Sequence, residues 1–308
     1  MIVTAGELLT EFVAHDVGPG LAVTGAYSGP FPSGAPAIFI DQAALMGAKA
    51  RIHGCVGGDA FGRNILGRLA RDGVDVSAVA VEPALTTGTA FVAYFEGGAR
   101  EFIYHIRGTA AEHSGPHPLP SGAITFHVSG SSVGVGGFAK ALVDLARQAR
   151  QQGGEVSCDP NIRVELMKND ACRAALEEII AISTILLPSE ADVAFLFPGL
   201  LPADGCRRLL ANGARLVVLK QGSRGIRIFT ATEEFSLPGH AVDEVDPTGA
   251  GDCFCGAFLG LLDQGHSLRD AATLANAAGA LHVTERGPME RNPTLDEIRA
   301  FLARGGQS

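Results

Sequence analysis

The sequence predicts an α/β protein built on a mostly parallel sheet with helices on both faces, and three observations support this. From about residue 120 onward, short apolar runs alternate with stretches of helical spacing. The runs are apolar throughout instead of alternating with polar residues, as strands covered on both faces require. The first third departs from this alternation with β-rich pieces that have no helical partner, which adds a small flat appendage to the main sheet.

Taken in order, residues 21–27 read as a strand, 34–47 and 61–72 as helices, and 50–56 as a strand between those helices. Residues 88–95 and 99–106 read as a hairpin turned at Gly97 and Gly98. The hairpin and the 21–27 strand make the appendage, which is either a lid over a site or a plain extension of the sheet. Residues 123–129, 155–159, 183–187 and the β-branched 214–220 are buried-strand candidates, with a helix at 138–152 and an Ala/Leu-rich helix before 183. Strands at 225–230 and 234–237 follow, then helices at 249–264, 268–283 and 294–304, while the Gly-rich 130–137 segment reads as a loop. No repeat, low-complexity tract or linker divides the chain, so one domain over 1–308 is expected, with lid strands within about 11–32 and 86–107.

A chain that is 46% hydrophobic and 19% charged can bury a sizeable core. Its net charge of −9 argues against nucleic acid or an anionic membrane as partner, since each would need a basic face. An anionic ligand must instead be held by backbone amides, helix N-termini and a few arginines. The six cysteines form no C-x-x-C pair and read as reduced thiols in a core. The N-terminus lacks a basic leader region, and no apolar stretch reaches membrane-spanning length, so a cytoplasmic location is expected.

The chemistry is carried by residues 246–258, which read Asp-Pro-Thr-Gly-Ala-Gly-Asp-Cys-Phe-Cys-Gly-Ala-Phe. Gly249, Ala250 and Gly251 have little or no side chain, so a ligand can approach the backbone closely. They open an apolar helix whose free N–H groups and dipole make an anion site. Asp252, in the first turn, would stand beside any bound phosphate, a placement that suits a base taking a proton from an attacking hydroxyl. Phosphoryl transfer needs that combination of anion site and base. The plain alternative is a helix N-terminus that merely has small residues and an acidic first turn. Neither G-x-x-x-x-G-K-[ST] nor a strand-linked G-x-G-x-x-G occurs.

Residues 246–259 resemble the second signature of the ribokinase/PfkB carbohydrate-kinase family, in which the Asp of G-A-G-D is the catalytic base. Residues 33–38 with Gly47 and Gly57 resemble its first signature, a Gly-Gly sugar-binding turn leading into a helix. Here Ser33 stands for the first Gly, before Gly34, and Ile38 for the usual Asn. Ser189 and Asp192 fall where the family carries N-x-x-E, a motif that helps to place magnesium and phosphate. Lys220, Gly222 and Gly225 match the strand-end turn beside the nucleotide, and Asn276, Ala277 and Gly279 match the adenine wall. The resemblance covers almost the whole chain and implies a ribokinase-like three-layer sandwich with a small β lid. It also implies ATP and Mg2+ as cofactors, Gly249, Ala250 and Gly251 as the anion hole, and a small sugar as substrate. Pairing of two chains through their lids is implied as well.

Arg107 and Arg163 sit at positions similar to those where 2-keto-3-deoxygluconate kinases hold an acidic sugar, although a guanidinium also serves neutral hydroxyls and phosphate. Residues 29–42 instead resemble a bacterial subgroup that includes tagatose kinases. Glu7, Glu11 and Asp16 are candidate hydroxyl acceptors near the first strand, with Glu11 preferred. A neutral ketohexose such as tagatose or fructose is therefore the favoured acceptor. A 2-keto-3-deoxy acid, a nucleoside or vitamin, and a catalytically silent sugar-binding regulator are the alternatives.

Overall fold

The computed structural model describes residues 1–97, 99–113, 118–163 and 170–305. Its first strand, β1 (Ile2–Ala5), is buried at every residue, and Thr4 satisfies its hydroxyl on the His127 carbonyl at 2.9 Å. Two strands then leave the core, β2 (Leu9–Ala14) and β3 (Tyr27–Ser33). Helix α1 (Ala35–Leu45) leads back to β4 (Ala50–Gly57) and α2 (Ala60–Arg71), followed by the short β5 (Val74–Asp75) and β6 (Val79–Glu82). The expected hairpin is β7 (Gly88–Tyr94) with β8 (Arg100–His105). Gly97 lies in its turn, and Gly98 lies outside the described residues.

Strand and helix then alternate through β9 (Thr125–Ser129), α3 (Phe138–Gln151), β10 (Glu155–Asp159), α4 (Asp170–Ile182) and β11 (Ile185–Leu186). Next come α5 (Glu190–Leu196), α6 (Pro202–Ala211), β12 (Leu216–Lys220), β13 (Ile226–Thr230) and β14 (Glu234–Leu237). Three helices close the chain: α7 (Ala250–Asp263), α8 (Leu268–His282) and α9 (Leu295–Ala303).

The main sheet runs β14-β13-β12-β11-β10-β9-β1-β4-β5, with β6 also paired to β4. All its pairs are parallel except those of β13 and β14. Its strands are apolar on both sides because both faces are covered. In β12, Leu216 and Val218 join a core that includes Phe39, Phe254, Phe258 and Phe301, whereas Val217 and Leu219 join one that includes Phe138, Leu142, Leu176 and Leu209. Helices α1, α7, α8 and α9 thus form one layer, and α3 to α6 form the other. Helix α7 is buried along nearly its whole length. Gly256 and Gly260 let it lie close against α1, where an added Cβ would come 2.2 Å from the Phe39 carbonyl and 3.0 Å from that of Ala43.

The second sheet runs β3-β2-β7-β8, with β2 and β7 parallel at its centre. Here the structure corrects the expected 21–27 strand, because the lid strand begins at Tyr27 and ends at Ser33. It carries Pro30 and Pro32, residues that cannot donate to a ladder, and it tolerates them because it is an edge strand paired only with β2. Strands β1, β5 and β6 and helices α5 and α6 have no counterpart in the expected elements, and β2 overlaps only the start of the expected 11–32 lid range. Residues 130–134 of the Gly-rich loop form a 3-10 turn.

Candidate active site

The site residues follow the C-terminal ends of parallel strands. Glu7 comes after β1, Ser129 ends β9, Asp159 ends β10, Ser189 follows β11, and Lys220 ends β12. Ligands of open α/β sheets bind at that edge. The turn that enters α7 lies against it. Gly249 is left-handed at φ 84°, and a Cβ there would stand 2.8 Å from the Pro288 carbonyl and 2.9 Å from Ile38 Cδ1, so only glycine fits. Cys253 is the first residue to close a helical bond, onto the Gly249 carbonyl at 2.8 Å. The amides of Gly251 and Asp252 precede it and have no helical carbonyl to meet. In front of Gly251, a Cβ would come 3.2 Å from Lys220 Nζ.

Asp252 is buried and is held by the Asn161 amide, whose Nδ2 donates to Oδ1 at 3.3 Å and also to Ser129 Oγ at 3.2 Å. Asn161 adopts a positive φ of 37°, which asparagine tolerates better than most residues, and its N–H bonds Asp159 Oδ1 at 3.2 Å. Lys220 forms a buried ion pair with Asp159, and the Cys255 thiol lies 3.6 Å from the same carboxylate. Burial raises both acids and Asp159 adds to it at Asp252, pushing Asp252 up to about 8; Lys220 and Arg163 pull it the other way. Lys220 keeps its proton, raised above its ordinary value by Asp159 against the penalty of burial.

The opposite wall comes from β1 and the lid. Glu11 on β2 takes a hydrogen bond from Ser33 Oγ at 2.9 Å. Glu11 Oε1 and Glu7 Oε2 are buried and, among the described residues, have no hydrogen-bond partner. Burial pushes both carboxyls up to about 7; Asp246 raises Glu11 further, while Arg100 and Arg163 lower it. Gly34 is required here, since its φ is 107° and a Cβ would strike the Glu7 carbonyl at 2.4 Å. Ile38 is buried, and its Cδ1 packs under the turn, 2.9 Å from where a Cβ of Gly249 would lie. Arg163 acts electrostatically on both Glu11 and Asp252. Arg107 is exposed and lines a neighbouring groove of about 720 Å3 with Glu112, His113 and Gly134.

Ser189 and Asp192 form a capping box at the start of α5. Asp192 Oδ2 accepts from the Ser189 N–H at 2.7 Å and hydroxyl at 2.6 Å, and its Oδ1 accepts from the Ile162 N–H at 2.8 Å. With its oxygens so engaged, Asp192 suits an indirect hold on magnesium through water, and no cluster of metal-binding side chains occurs among the described residues. Gly222 and Gly225 shape the turn after β12, and a Cβ at Gly225 would meet the Leu237 carbonyl at 2.1 Å. Asn276 is tied to the Pro238 carbonyl at 2.7 Å, and Gly279 faces the Ala250 carbonyl across the α7–α8 contact.

Several contributors escaped the sequence reading as site residues. They are Asn161, Asp159, Arg100, and the Tyr94 hydroxyl that ties lid strand β7 to Asp246 and, at 2.6 Å, to Thr248. Asn161 and Asp159 lay in a segment already marked for Arg163. Tyr94 carried no signal, because its partners come from the other end of the chain.

Comparison with known proteins bears on the family and the fold. A family model for pfkB family carbohydrate kinase matches residues 1–295. The chain is 31% identical to Fructokinase-2 of Oryza sativa subsp. japonica, over 99% of this chain and 94% of that protein. It is 33% identical to 2-dehydro-3-deoxygluconokinase of Thermoproteus tenax, over 98% and 94%. Among solved structures, an E. coli protein provisionally designated ribokinase II, in complex with ATP and Mg2+, superposes with a TM-score of 0.90 at 38% identity, covering 98% of this chain and 99% of that one.

Proposed function

The chain belongs to the pfkB family of carbohydrate kinases, and from that premise we propose that it phosphorylates a hydroxyl of a neutral ketohexose with ATP, as one kinase domain over 1–308. The observation that carries this reading is the pairing of a base at the mouth of α7 with buried carboxylate oxygens opposite. Asp252 stands beside the Gly249–Gly251 turn, Glu7 acts electrostatically on it, and Glu7 and Glu11 are buried, each with one oxygen that has no hydrogen-bond partner among the described residues. A neutral polyol supplies such donors, whereas an acidic sugar would bring a further negative charge toward two carboxylates.

Asp252 takes the proton as the acceptor oxygen forms its bond to the γ-phosphorus, and the bond to the β,γ-bridging oxygen breaks to leave ADP. The backbone amides of the turn and Lys220 receive the charge on the phosphoryl oxygens. Magnesium, when bound, neutralises phosphate charge, with Asp192 holding it through water. Ser189, Lys220, Gly222, Gly225, Asn276 and Gly279 border the nucleotide. A cytoplasmic homodimer joined through the lids, whose outer strand exposes Ile103, completes the reading.

A coupled ADP-release assay across ketohexoses, aldoses, 2-keto-3-deoxy acids and nucleosides tests it. A ketohexose is expected to give the highest kcat/KM. A hundredfold preference for 2-keto-3-deoxygluconate would make Arg163 and Arg107 the carboxylate site, in line with the Thermoproteus relative.

A further inference from the structure

Behind the phosphate turn runs a buried chain of hydrogen bonds whose directions are set by its two ends. One end is Arg68 on α2, a guanidinium that can only donate. Its Nη2 lies 3.4 Å from Asp41 Oδ2 and 2.7 Å from the Met289 carbonyl. Asp41 Oδ2 also faces Asn292 Nδ2 at 2.8 Å, and that nitrogen lies 3.4 Å from the Ile38 carbonyl. Burial pushes Asp41 up to about 7, so at about pH 8 it is ionised, and its Oδ2 with the Ile38 carbonyl presents two acceptors that require the NH2 group of Asn292 there. Asn292 Oδ1 is thereby turned to His282 Nδ1 at 2.9 Å, and an amide oxygen can only accept. At the far end His282 Nε2 meets the Thr248 carbonyl at 2.8 Å, which again can only accept. Each ring nitrogen therefore needs a proton.

We infer that His282 is a buried imidazolium and a positioning residue, seated behind the phosphate-binding turn and tying it to the Arg68–Asp41 pair. Its Nε2 stands 3.0 Å from where a Cβ of Gly249 would lie, so the charge sits just under the first residue of the turn. Asp246 and, through Asn292, Asp41 face the ring from the acidic side, Arg291 from the basic side, and Arg68 and Asp72 stand behind Asp41. Burial is the largest influence on the ring and draws its pKa below the ordinary value, against both hydrogen bonds and Asp246. A neutral ring, however, would set a lone pair on Nδ1 against Asn292 Oδ1 with no proton between them, and this repulsion decides for the cation. The consequence at the phosphates rests on the kinase reading, whereas the charge itself does not.

The test reads the two separately. 15N NMR of histidine-labelled protein, with His282 assigned by its loss in His282→Gln, reports ring protonation with no ligand present. We expect protons on both ring nitrogens at about pH 8, above the ordinary imidazole value near 6.5. A lone proton on Nε2 there overturns the proposal. If the glutamine variant does not fold, Asn292→Leu provides the assignment by removing the acceptor, and the His282 signal alone should move to the neutral form. Calorimetry with MgADP then reads the positioning role. His282→Gln keeps a donor for the Thr248 carbonyl but loses the charge, so ADP affinity should fall roughly ten- to a hundredfold with little change in acceptor KM. Unchanged ADP affinity overturns the positioning role. An imidazolium in a wild-type protein that binds no nucleotide would support the charge and count against the kinase reading.

Discussion

The two walls of the cleft are built by different means. The side proposed for phosphate is one contiguous turn, Gly249 to Asp252, in which backbone amides lack helical acceptors and the glycines are needed for what they lack. The side proposed for the acceptor is assembled from side chains on separate elements: Glu7 behind β1, Glu11 on β2, Ser33 on β3, and Arg163 behind β10. A backbone wall needs only shape, so it should fail abruptly when one carbon is added. A side-chain wall holds carboxylates out of water, with Glu7 and Glu11 each pushed up to about 7 by burial, and should weaken by steps.

The largest expected effect lies where the walls meet. Asp252→Asn should lower kcat by roughly 10²–10⁴-fold while leaving MgADP affinity intact, and a loss below about tenfold at saturating substrate would rule Asp252 out as the base. The same group should set activity and stability against each other. Burial holds Asp252 near 8, so the folded protein keeps a proton that the unfolded chain loses near 4. Its contribution to stability is complete below about 4 and is lost as pH rises through about 8, while kcat/KM should climb through the upper part of that range as the base ionises. The asparagine variant should therefore be more stable at about pH 8, by about 2–4 °C in Tm, a gain that scanning calorimetry can check.

Gly251→Val tests whether the backbone wall is all-or-none. Its branched carbons would fill the space between the turn and Lys220 Nζ, and the ATP KM should rise about a hundredfold. Normal ATP kinetics in a folded variant would place the phosphates elsewhere. On the other wall, Glu11→Gln keeps the shape but loses a charged acceptor, so acceptor KM should rise roughly tenfold with ATP KM unmoved. A parallel rise in both would mean that Glu11 supports the fold, not the acceptor. The smallest effects separate the two arginines. Arg163→Lys should cost about three- to tenfold in kcat/KM for a neutral ketose, and Arg107→Lys less, since Arg163 alone of the two acts on both Glu11 and Asp252. Equal losses would extend the acceptor site into the Arg107 groove.

The same division appears in what could be read from residue order. The alternation beyond residue 120 and the helices entered at Gly249 and Ser267 were legible because each depends on neighbours a few residues away. The strand Ile2–Ala5 was not, since four residues carry too little pattern, and its burial comes from β4 and β9 on either side. The expected 21–27 strand slid to Tyr27–Ser33 because pairing with β2, and not local propensity, chose the register, even through Pro30 and Pro32.

By itself the sequence determined the α/β layering, the glycine turn into α7 and its first-turn acid, for all three are written in consecutive residues whose spacing sets backbone conformation directly. Only the tertiary structure decided that Asn161 holds Asp252, that Lys220 pairs with Asp159 in front of Gly251, and that Tyr94 ties the lid to Asp246. It also decided that Glu7 and Glu11 are buried, each with one carboxyl oxygen that has no hydrogen-bond partner among the described residues. Those relations join side chains from distant parts of the chain, and their strength comes from exclusion of water, which only the assembled core and lid provide.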